Sequence, residues 1–249
     1  MIALDISNSM LAEDISPSRL EFAKREVDHL VGKLHNDRLG VVVFAGDAMV
    51  QLPITTDYSA VKLFLKNINT NIIAKQGTAI GTALSLSAES FDYDSPTKKA
   101  IIVITDGENH EDDAVKITKE INDKGVVVHT IGMGSQNGGP IPVYRRGQQV
   151  AHRTDKEGNT VISKLDEQML KEIAQEGQGI YVRATSSNSG LNYVMNEIET
   201  MEKTEFDSMV IRNYKSRFQL FLFVSLAFFV LREILPDSKK SDFDLFKIN

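Results

Sequence analysis

The amino-terminal segment carries a cluster of side-chain oxygens. Asp5, Ser7 and Ser9 directly follow an apolar run at residues 1–4. Side chains alternate along an extended chain, so these three residues lie on one side of it. If the apolar run is a strand, the loop at its carboxyl end presents one carboxylate and two hydroxyls.

Two further oxygen-bearing residues come much later in the chain. Asp106 leaves the apolar run at residues 100–105 in the same way, and Thr78 is a hydroxyl flanked by glycines at the start of a predicted helix. In open α/β sheets, ligands bind outside the carboxyl ends of the strands, so Asp5 and Asp106 can converge from distant positions. The sequence therefore predicts a site of two carboxylates and three hydroxyls.

This all-oxygen donor set suits a hard divalent cation. Mg²⁺ prefers oxygen ligands in near-octahedral geometry and retains several waters. We expect Mg²⁺, with Mn²⁺ or Ca²⁺ as alternatives, because the set lacks the His and Cys ligands that favour zinc. Two carboxylates leave the ion under-neutralised and with a vacant position. An Asp or Glu side chain of a partner protein can fill that position.

The elements that must position these residues alternate between strands and helices. Apolar runs of strand length occur at residues 1–4, 39–44, 100–105, 126–131 and 180–183. Helical spacing begins after Ser16-Pro17, where Ser16 suits the N-cap and Pro17 the first turn. It recurs at residues 57–68, 78–90, 113–123, 166–175 and 191–203. A Gly46-Asp47 turn within residues 45–52 indicates a hairpin with one antiparallel edge strand. The pattern predicts an α/β fold with a doubly wound, mostly parallel sheet and helices on both faces.

The rest of the chain divides into an insertion, an apolar segment and a tail. Turn residues around residues 138–164 predict a hairpin inserted into a domain of residues 1–210. Seven of the 12 Phe lie in the last 32 residues, and Phe218 to Leu231 contains no charge. We expect a carboxyl-terminal hydrophobic helix at residues 214–235 that crosses a membrane, with a polar tail at residues 236–249.

Composition excludes several classes of function. The chain of 249 residues has 28 Lys plus Arg against 34 Asp plus Glu, a net charge of −6. No nucleic-acid partner is expected, because phosphate binding needs a basic face. Cys is absent, which excludes disulfide scaffolds, thiolate metal sites and Cys nucleophiles.

The motifs carry a family resemblance. Asp5-x-Ser7-x-Ser9, Thr78 and Asp106 resemble the metal-ion-dependent adhesion site of von Willebrand factor A (VWA) domains, over roughly residues 1–203. Within that superfamily, the stretches at residues 5–15, 77–84 and 105–109 resemble the bacterial Bat proteins, named for Bacteroides aerotolerance. The late hairpin and the helix that begins Arg217-Phe218-Gln219 are similar to the BatB branch.

The resemblance implies how the cation is coordinated, which partners the protein has and where it is located. It implies that Ser7, Ser9 and Thr78 contact Mg²⁺ directly, while Asp5 and Asp106 act through waters. It also implies other Bat-family VWA proteins and a MoxR-type AAA+ ATPase as partners, in complex assembly or in stress and oxygen tolerance. The expected location is the bacterial inner membrane, with the VWA domain in the periplasm. Bat proteins usually carry an amino-terminal membrane segment, which we expect to be missing from this chain through truncation or a late start.

Two classes of function fit the residues. The first is a non-enzymatic, membrane-anchored interaction module in which the ion bridges to an acidic side chain of a protein ligand. The second is an Mg²⁺-dependent phosphoryl-transfer enzyme, which needs a carboxylate nucleophile beside a metal-binding carboxylate and a Lys to steady the phosphate. Ser7 stands in place of the second acid, and no Lys follows an apolar strand in an obvious position. The interaction module is therefore favoured.

Overall fold

The computed structural model describes residues 1–34, 37–108, 113–145, 148–185 and 190–200, together with residues 222, 225, 226, 228 and 231. The chain divides into two compact units, Met1–Glu202 and Lys203–Asn249. The first unit contains all of the described strands.

A six-stranded sheet organises the first unit. Its strands are β1 (Ile2–Asp5), β2 (Leu39–Phe44), β3 (Ala48–Thr55), β4 (Lys99–Thr105), β5 (Val126–Gly132) and β10 (Gln178–Arg183). They lie side by side in the order β10-β5-β4-β1-β2-β3. All neighbours are parallel except β2 and β3, which form the antiparallel pair at one edge. The prediction of a mixed α/β fold with a mostly parallel sheet is confirmed.

The strand order creates a switch point beside β1. The chain runs from β1 outward to β2 and β3, and then returns to β4 on the other side of β1. At such a point, the connections after two neighbouring parallel strands leave in opposite directions and open a crevice at their carboxyl ends. Asp5 ends β1 and Asp106 follows β4, so the two carboxylates flank this crevice.

Helices cover both faces of the sheet. They are α1 (Arg19–Val31), α2 (Tyr58–Asn67), α3 (Ile80–Glu89), α4 (Ala114–Asn122), α5 (Glu167–Glu176) and α6 (residues 191–200). Alternate residues of each central strand point to opposite faces, as Ile2 and Ala3 of β1 do. One core packs beneath α1, α2 and α6, and the other beneath α3, α4 and α5. The central strands therefore carry apolar residues on both of their faces.

Helix α1 begins later than the Ser16-Pro17 signal predicts. Its N-cap is Ser18, whose hydroxyl accepts a hydrogen bond from the Glu21 amide at 3.2 Å. The expectation that Ser16 caps this helix is wrong, because Ser18 is the hydroxyl that reaches a free amide of the first turn. As a result, Arg19 occupies the first position of the helix.

The segment between β5 and α5 forms a two-part hairpin, called the insertion below (residues 138–164). Its base pairs β6 (Gly139–Pro140) with β9 (Ile162–Ser163), and its outer part pairs β7 (Pro142–Arg145) with β8 (Gln148–His152). Every described residue of β8 is exposed, whereas Ser163 in β9 is buried. The insertion therefore has a solvent-facing tip and a base that rests on the domain.

The second unit includes residues 214–235, where the sequence predicts a hydrophobic helix. Five residues of this segment are described; all are helical and exposed, namely residues 222, 225, 226, 228 and 231. The remainder of residues 214–235 and the whole tail at 236–249 lie outside the described residues. Within the described part of the chain, no helix combines the length and apolar character needed to cross a bilayer.

Candidate metal centre

The Asp5 carboxylate is held by short-range contacts at the end of β1. Its Oδ1 accepts a hydrogen bond from the Ser7 amide at 2.8 Å, and its Oδ2 accepts one from the Thr105 hydroxyl at 2.5 Å. Burial, and then the nearby negative charge of Asp106, raise the pKa of Asp5 to about 7. Among the described contacts no cation pairs with Asp5, so its charge is compensated by hydrogen bonds alone.

The two serines of the first motif lie together. The Ser7 and Ser9 hydroxyl oxygens are 2.9 Å apart, and both side chains are buried. A 3₁₀ turn at Asn8–Leu11 curls the chain directly after β1 and brings the two hydroxyls to the same side. Two adjacent buried hydroxyls beside a carboxylate can act as neighbouring ligands of a hard cation.

Thr78 reaches this edge of the sheet through the contacts of its neighbours. The Gln76 side-chain oxygen accepts a hydrogen bond from the Asn8 amide at 3.1 Å, which ties the segment to the first motif. The Ala79 amide donates to the Ala45 carbonyl at 2.7 Å, which ties it to the end of β2. Thr78 itself is buried between these two anchors.

Asp106 joins the same cluster from β4. Burial raises its pKa, whereas a hydrogen bond from the Ser9 hydroxyl and the charge of Arg19 act in the opposite direction. Asp106 Oδ1 accepts from the Glu108 amide at 3.3 Å, and its Oδ2 accepts from Arg19 at 2.9 Å. The hydrogen bonds, and the effect of the Asp106 charge on the pKa of Asp5, show that Asp5, Ser7, Ser9 and Asp106 lie close together.

A buried arginine beside Asp106 was missed by the sequence analysis. The side chain of Arg19 is 0% exposed, and its guanidinium lies between Asp106 and Asp14. Burial alone lowers the pKa of an arginine, but Asp14 and Asp106 together raise that of Arg19. Burial also raises the pKa of Asp14, but hydrogen bonds from Arg19 and the Ser135 amide bring it below its usual value.

A signal for this contact was present in the sequence. A positive charge at the first position of a helix is opposed by the helix dipole, which favours anions there. Arg19 follows the N-cap Ser18 and precedes the apolar face of α1, so its positive charge is expected to pair with nearby carboxylates. Their identity depends on contacts 87 residues apart for Asp106, which periodicity does not reveal. Thr105 was missed for the same reason, since it resembles any strand residue.

The charge of the cluster fits a divalent cation. The carboxylates of Asp5, Asp14 and Asp106 and the guanidinium of Arg19 carry a formal total of two negative charges when ionised. Buried charge without compensation is costly, and one divalent cation would cancel this total. Among the described residues, this site included, no group of three or more His, Cys, Asp or Glu is placed to hold a metal ion. The donor set is therefore rich in hydroxyls, as Mg²⁺ chemistry allows.

Comparison with known proteins gives close structural relatives. The family model of the von Willebrand factor type A domain matches residues 1–108. The crystal structure of a conserved hypothetical protein, BatB from Bacteroides thetaiotaomicron, is similar with a TM-score of 0.77 and 52% identity, covering 81% of this chain and 97% of that one. An aerotolerance-related membrane protein from Bacteroides fragilis is similar with a TM-score of 0.76 and 50% identity, covering 80% and 98%.

More distant proteins share part of the chain or the fold alone. An uncharacterized protein of Borreliella burgdorferi is 26% identical over 94% of this chain and 68% of its own length. The chain spans 58% of a UPF0353 protein of Nocardia farcinica, at 30% identity over 75% of this chain. Proximal thread matrix protein 1 of the mussel byssus, described with a zinc-occupied MIDAS motif, shares the fold at 18% identity and a TM-score of 0.50, over 74% of this chain and 43% of that one.

Proposed function

Because the chain belongs to the BatB branch of the bacterial Bat family of VWA domain proteins, we propose that it is a metal-dependent protein-interaction module. In this proposal, one divalent cation binds at Asp5, Ser7, Ser9, Thr78 and Asp106. The cation then captures an acidic side chain of a partner protein. The protein is not an enzyme in this proposal.

The buried charge of the site is the observation that carries the proposal. Three carboxylates and one guanidinium leave two negative charges beside adjacent serine hydroxyls. Mg²⁺ supplies the compensating charge and a coordination position that a carboxylate can occupy. Ser7, Ser9 and Thr78 would hold the ion directly, and Asp5 and Asp106 would hold its waters. Mn²⁺ and Ca²⁺ remain alternative occupants.

The hydrogen bonds of the site keep these oxygens in place for the cation. The Ser7 amide and the Thr105 hydroxyl hold Asp5, so its carboxylate does not turn away when it ionises. The Glu108 amide holds Oδ1 of Asp106. A pre-positioned donor set loses little conformational entropy on binding, which favours capture of a small ion.

The anchoring part of the proposal rests on residues 214–235. Phe218 to Leu231 is uncharged in the sequence, and Arg217 and Arg232 flank it as interfacial residues do. The Bacteroides fragilis relative is described as a membrane protein. We propose an inner-membrane location with the VWA domain in the periplasm. The proposed partners there are other Bat proteins and, through them, a MoxR-type AAA+ ATPase.

The phosphoryl-transfer alternative gains no support from the cluster. Arg19 is the cation beside Asp106, but its N–H groups are already engaged by protein oxygens, so it is not available to a transferred phosphoryl group. We expect no Mg²⁺-dependent turnover of p-nitrophenyl phosphate. Turnover that Asp5→Asn abolishes would contradict the interaction module.

Calorimetric titration with Mg²⁺ tests the site directly. Wild type is expected to bind one ion. Asp106→Asn is expected to bind it at least about tenfold more weakly, because the site loses one carboxylate charge. Glu172→Gln on the exposed face of α5 is a matched control that removes one carboxylate elsewhere and is expected to bind as wild type does. Equal affinity in wild type and Asp106→Asn would remove the metal hypothesis.

Crosslinking in membranes tests the interaction part. Bat-family partners are expected to be recovered with wild type in Mg²⁺ and lost with chelator or with Asp106→Asn. Recovery of the same partners in both conditions would show that the metal site is not the recognition element.

A further inference from the structure

The Arg19 guanidinium is saturated by three segments of the chain. Its Nε and one Nη2 hydrogen reach the two carboxylate oxygens of Asp14, each at 2.8 Å. Nη1 donates to Asp106 Oδ2 at 2.9 Å and to the Ser163 hydroxyl at 2.7 Å, and Nη2 also donates to the Ser163 carbonyl at 3.1 Å. All five N–H groups are used, which is the full capacity of the side chain.

The two oxygens of the Asp106 carboxylate have different hydrogen-bond partners. Oδ2 is occupied by Arg19 and by the Ser163 hydroxyl, which donates to it at 3.3 Å. Oδ1 accepts a long hydrogen bond from the Glu108 amide, at 3.3 Å, and the Ser9 hydroxyl also hydrogen-bonds to this carboxylate. A cation in the cluster would therefore approach Asp106 through Oδ1 while Arg19 holds the other oxygen of the same group.

We propose that Arg19 is an internal counter-cation of the metal centre, and that it competes with the bound ion for the charge of Asp106. This inference rests on the proposed function, since it concerns the same cation. The guanidinium and the ion are like charges on opposite oxygens of one carboxylate, so each weakens the attraction of the other. Arg19 stabilises the protein without the ion and, for the same reason, lowers its affinity for the ion.

Asp14 controls how strongly Arg19 competes. Its bidentate pairing offsets the guanidinium charge, and its Oδ2 also accepts a hydrogen bond from the Ser135 amide at 2.8 Å. Removal of the Asp14 charge leaves Arg19 with a larger uncompensated positive charge beside the site. The pair therefore gives two substitutions with opposite expected effects on cation binding.

Calorimetric titration with Mg²⁺ and thermal unfolding with and without Mg²⁺ test the inference. Arg19→Gln is expected to bind Mg²⁺ at least about tenfold more tightly than wild type, and Asp14→Asn at least about tenfold more weakly. The rise in Tm caused by Mg²⁺ is expected to be larger in Arg19→Gln and smaller in Asp14→Asn, because binding to the native state stabilises it. Arg25→Gln makes the same change on the exposed side of α1 and is expected to bind within twofold of wild type.

The possible outcomes separate this inference from the proposed function. A purely structural role for Arg19 would lower Tm equally with and without Mg²⁺ and leave the Mg²⁺ affinity of both variants unchanged, which would overturn the inference alone. Weaker binding by Arg19→Gln would also overturn it. If Arg19→Gln does not fold, the isosteric Asp14→Asn decides, and unchanged affinity there overturns the inference. A lack of Mg²⁺ binding in wild type and all variants would overturn the proposed function as well.

Discussion

The two halves of the metal centre are built by different means. The β1 half holds Asp5 with the Ser7 amide and the Thr105 hydroxyl, and it uses no cation among the described contacts. The β4 half holds Asp106 with a buried guanidinium that is itself fixed by Asp14 and the insertion. In the β1 half, hydrogen bonds alone hold a carboxylate that has no counter-charge among the described contacts. The β4 half is held by an ion-pair network in which Arg19 balances one of two carboxylate charges.

The same residue type can therefore affect the fold differently according to its neighbours. A buried carboxylate without a counter-charge favours its neutral form, whereas the guanidinium beside Asp106 opposes the rise that burial causes in the pKa of that carboxyl. Loss of the carboxylate charge should therefore stabilise the metal-free protein in the β1 half but not in the β4 half.

Arg19→Met is expected to cause the largest loss of stability. It leaves the buried Asp106 and the partly buried Asp14 without a counter-charge, which typically costs about 3–5 kcal/mol in the free energy of unfolding. Urea unfolding in chelator measures this loss, and Arg25→Met on the exposed side of the same helix serves as control, with a change within about 0.5 kcal/mol. A loss for Arg19→Met as small as that of the control would contradict the description of the β4 half.

Gly134→Ala is expected to disturb the β4 half through packing. A Cβ at Gly134 would lie 2.7 Å from Arg19 Cζ, and the glycine has a φ of +129° that an alanine rarely adopts. The combined strain should lower the free energy of unfolding by about 1–3 kcal/mol, measured by the same urea titration.

Gly125→Ala is the matched control for this change. Gly125 also has a positive φ, +81°, but nothing lies within 4 Å of the added Cβ. Its cost should therefore be the backbone strain alone. Equal losses for the two variants would show that Arg19 adjusts freely and is not held in one position.

Asp5→Asn is expected to stabilise the metal-free protein, in contrast to every change in the β4 half. The amide keeps an oxygen for the Ser7 N–H, and the Thr105 hydroxyl can turn to accept from the new NH₂ group. Removal of the uncompensated charge should raise the free energy of unfolding at pH 8 by about 1–2 kcal/mol. Asp106→Asn should give no such gain, because relief of the burial that raises the pKa of Asp106 is offset by loss of the charge that pairs with Arg19. A loss of stability in both variants would contradict the contrast between the halves.

The pH dependence of stability gives the smallest and most specific effect. Because the folded pKa of Asp5 is raised to about 7 from 3.8, its contribution is favourable at low pH and is lost as the pH rises between these values. His129 acts in the opposite direction, because burial lowers its pKa from 6.5 to about 4, so its contribution is lost as the pH falls. The two contributions partly cancel in wild type.

A comparison of Asp5→Asn with wild type separates the contributions of Asp5 and His129. The free energy of unfolding of Asp5→Asn minus that of wild type, in chelator, removes the contribution of His129. We expect this difference to grow as the pH rises from 4 to 7, with a slope below about 1.4 kcal/mol per pH unit. A difference that is independent of pH would show that Asp5 titrates at its ordinary value.

Local pattern was sufficient for the sheet and for the β1 half. Apolar runs of strand length located β1, β2, β4 and β5, and the alternation of Asp5, Ser7 and Ser9 placed three oxygens on one loop. The general rule for ligand sites in α/β sheets predicted that Asp5 and Asp106 can converge at the carboxyl ends of strands, whereas the pairing of β1 with β4 is known only from the structure. These signals depend on residues that are neighbours in the chain or on the common geometry of parallel strands.

The β4 half required tertiary contacts that no local signal encodes. Arg19 meets Ser163 across 144 residues and Asp106 across 87. The helical spacing predicted that α1 starts near Ser16-Pro17. On that prediction, Arg19 is an ordinary polar residue of the first helical turns. Only the folded chain shows that it is buried and shared between α1, β4 and the insertion.

The insertion also gives the domain an electrical polarity. Residues 138–164 contain five Lys or Arg and two Asp or Glu, a charge of +3 in a chain whose total is −6, so the rest of the chain carries −9. Ser163 at the base of the insertion touches Arg19 and Asp106, so the base of this positive segment adjoins the metal face. An acidic protein approaching in solution would be turned toward that face before contact, and its association rate would fall as ionic strength rises.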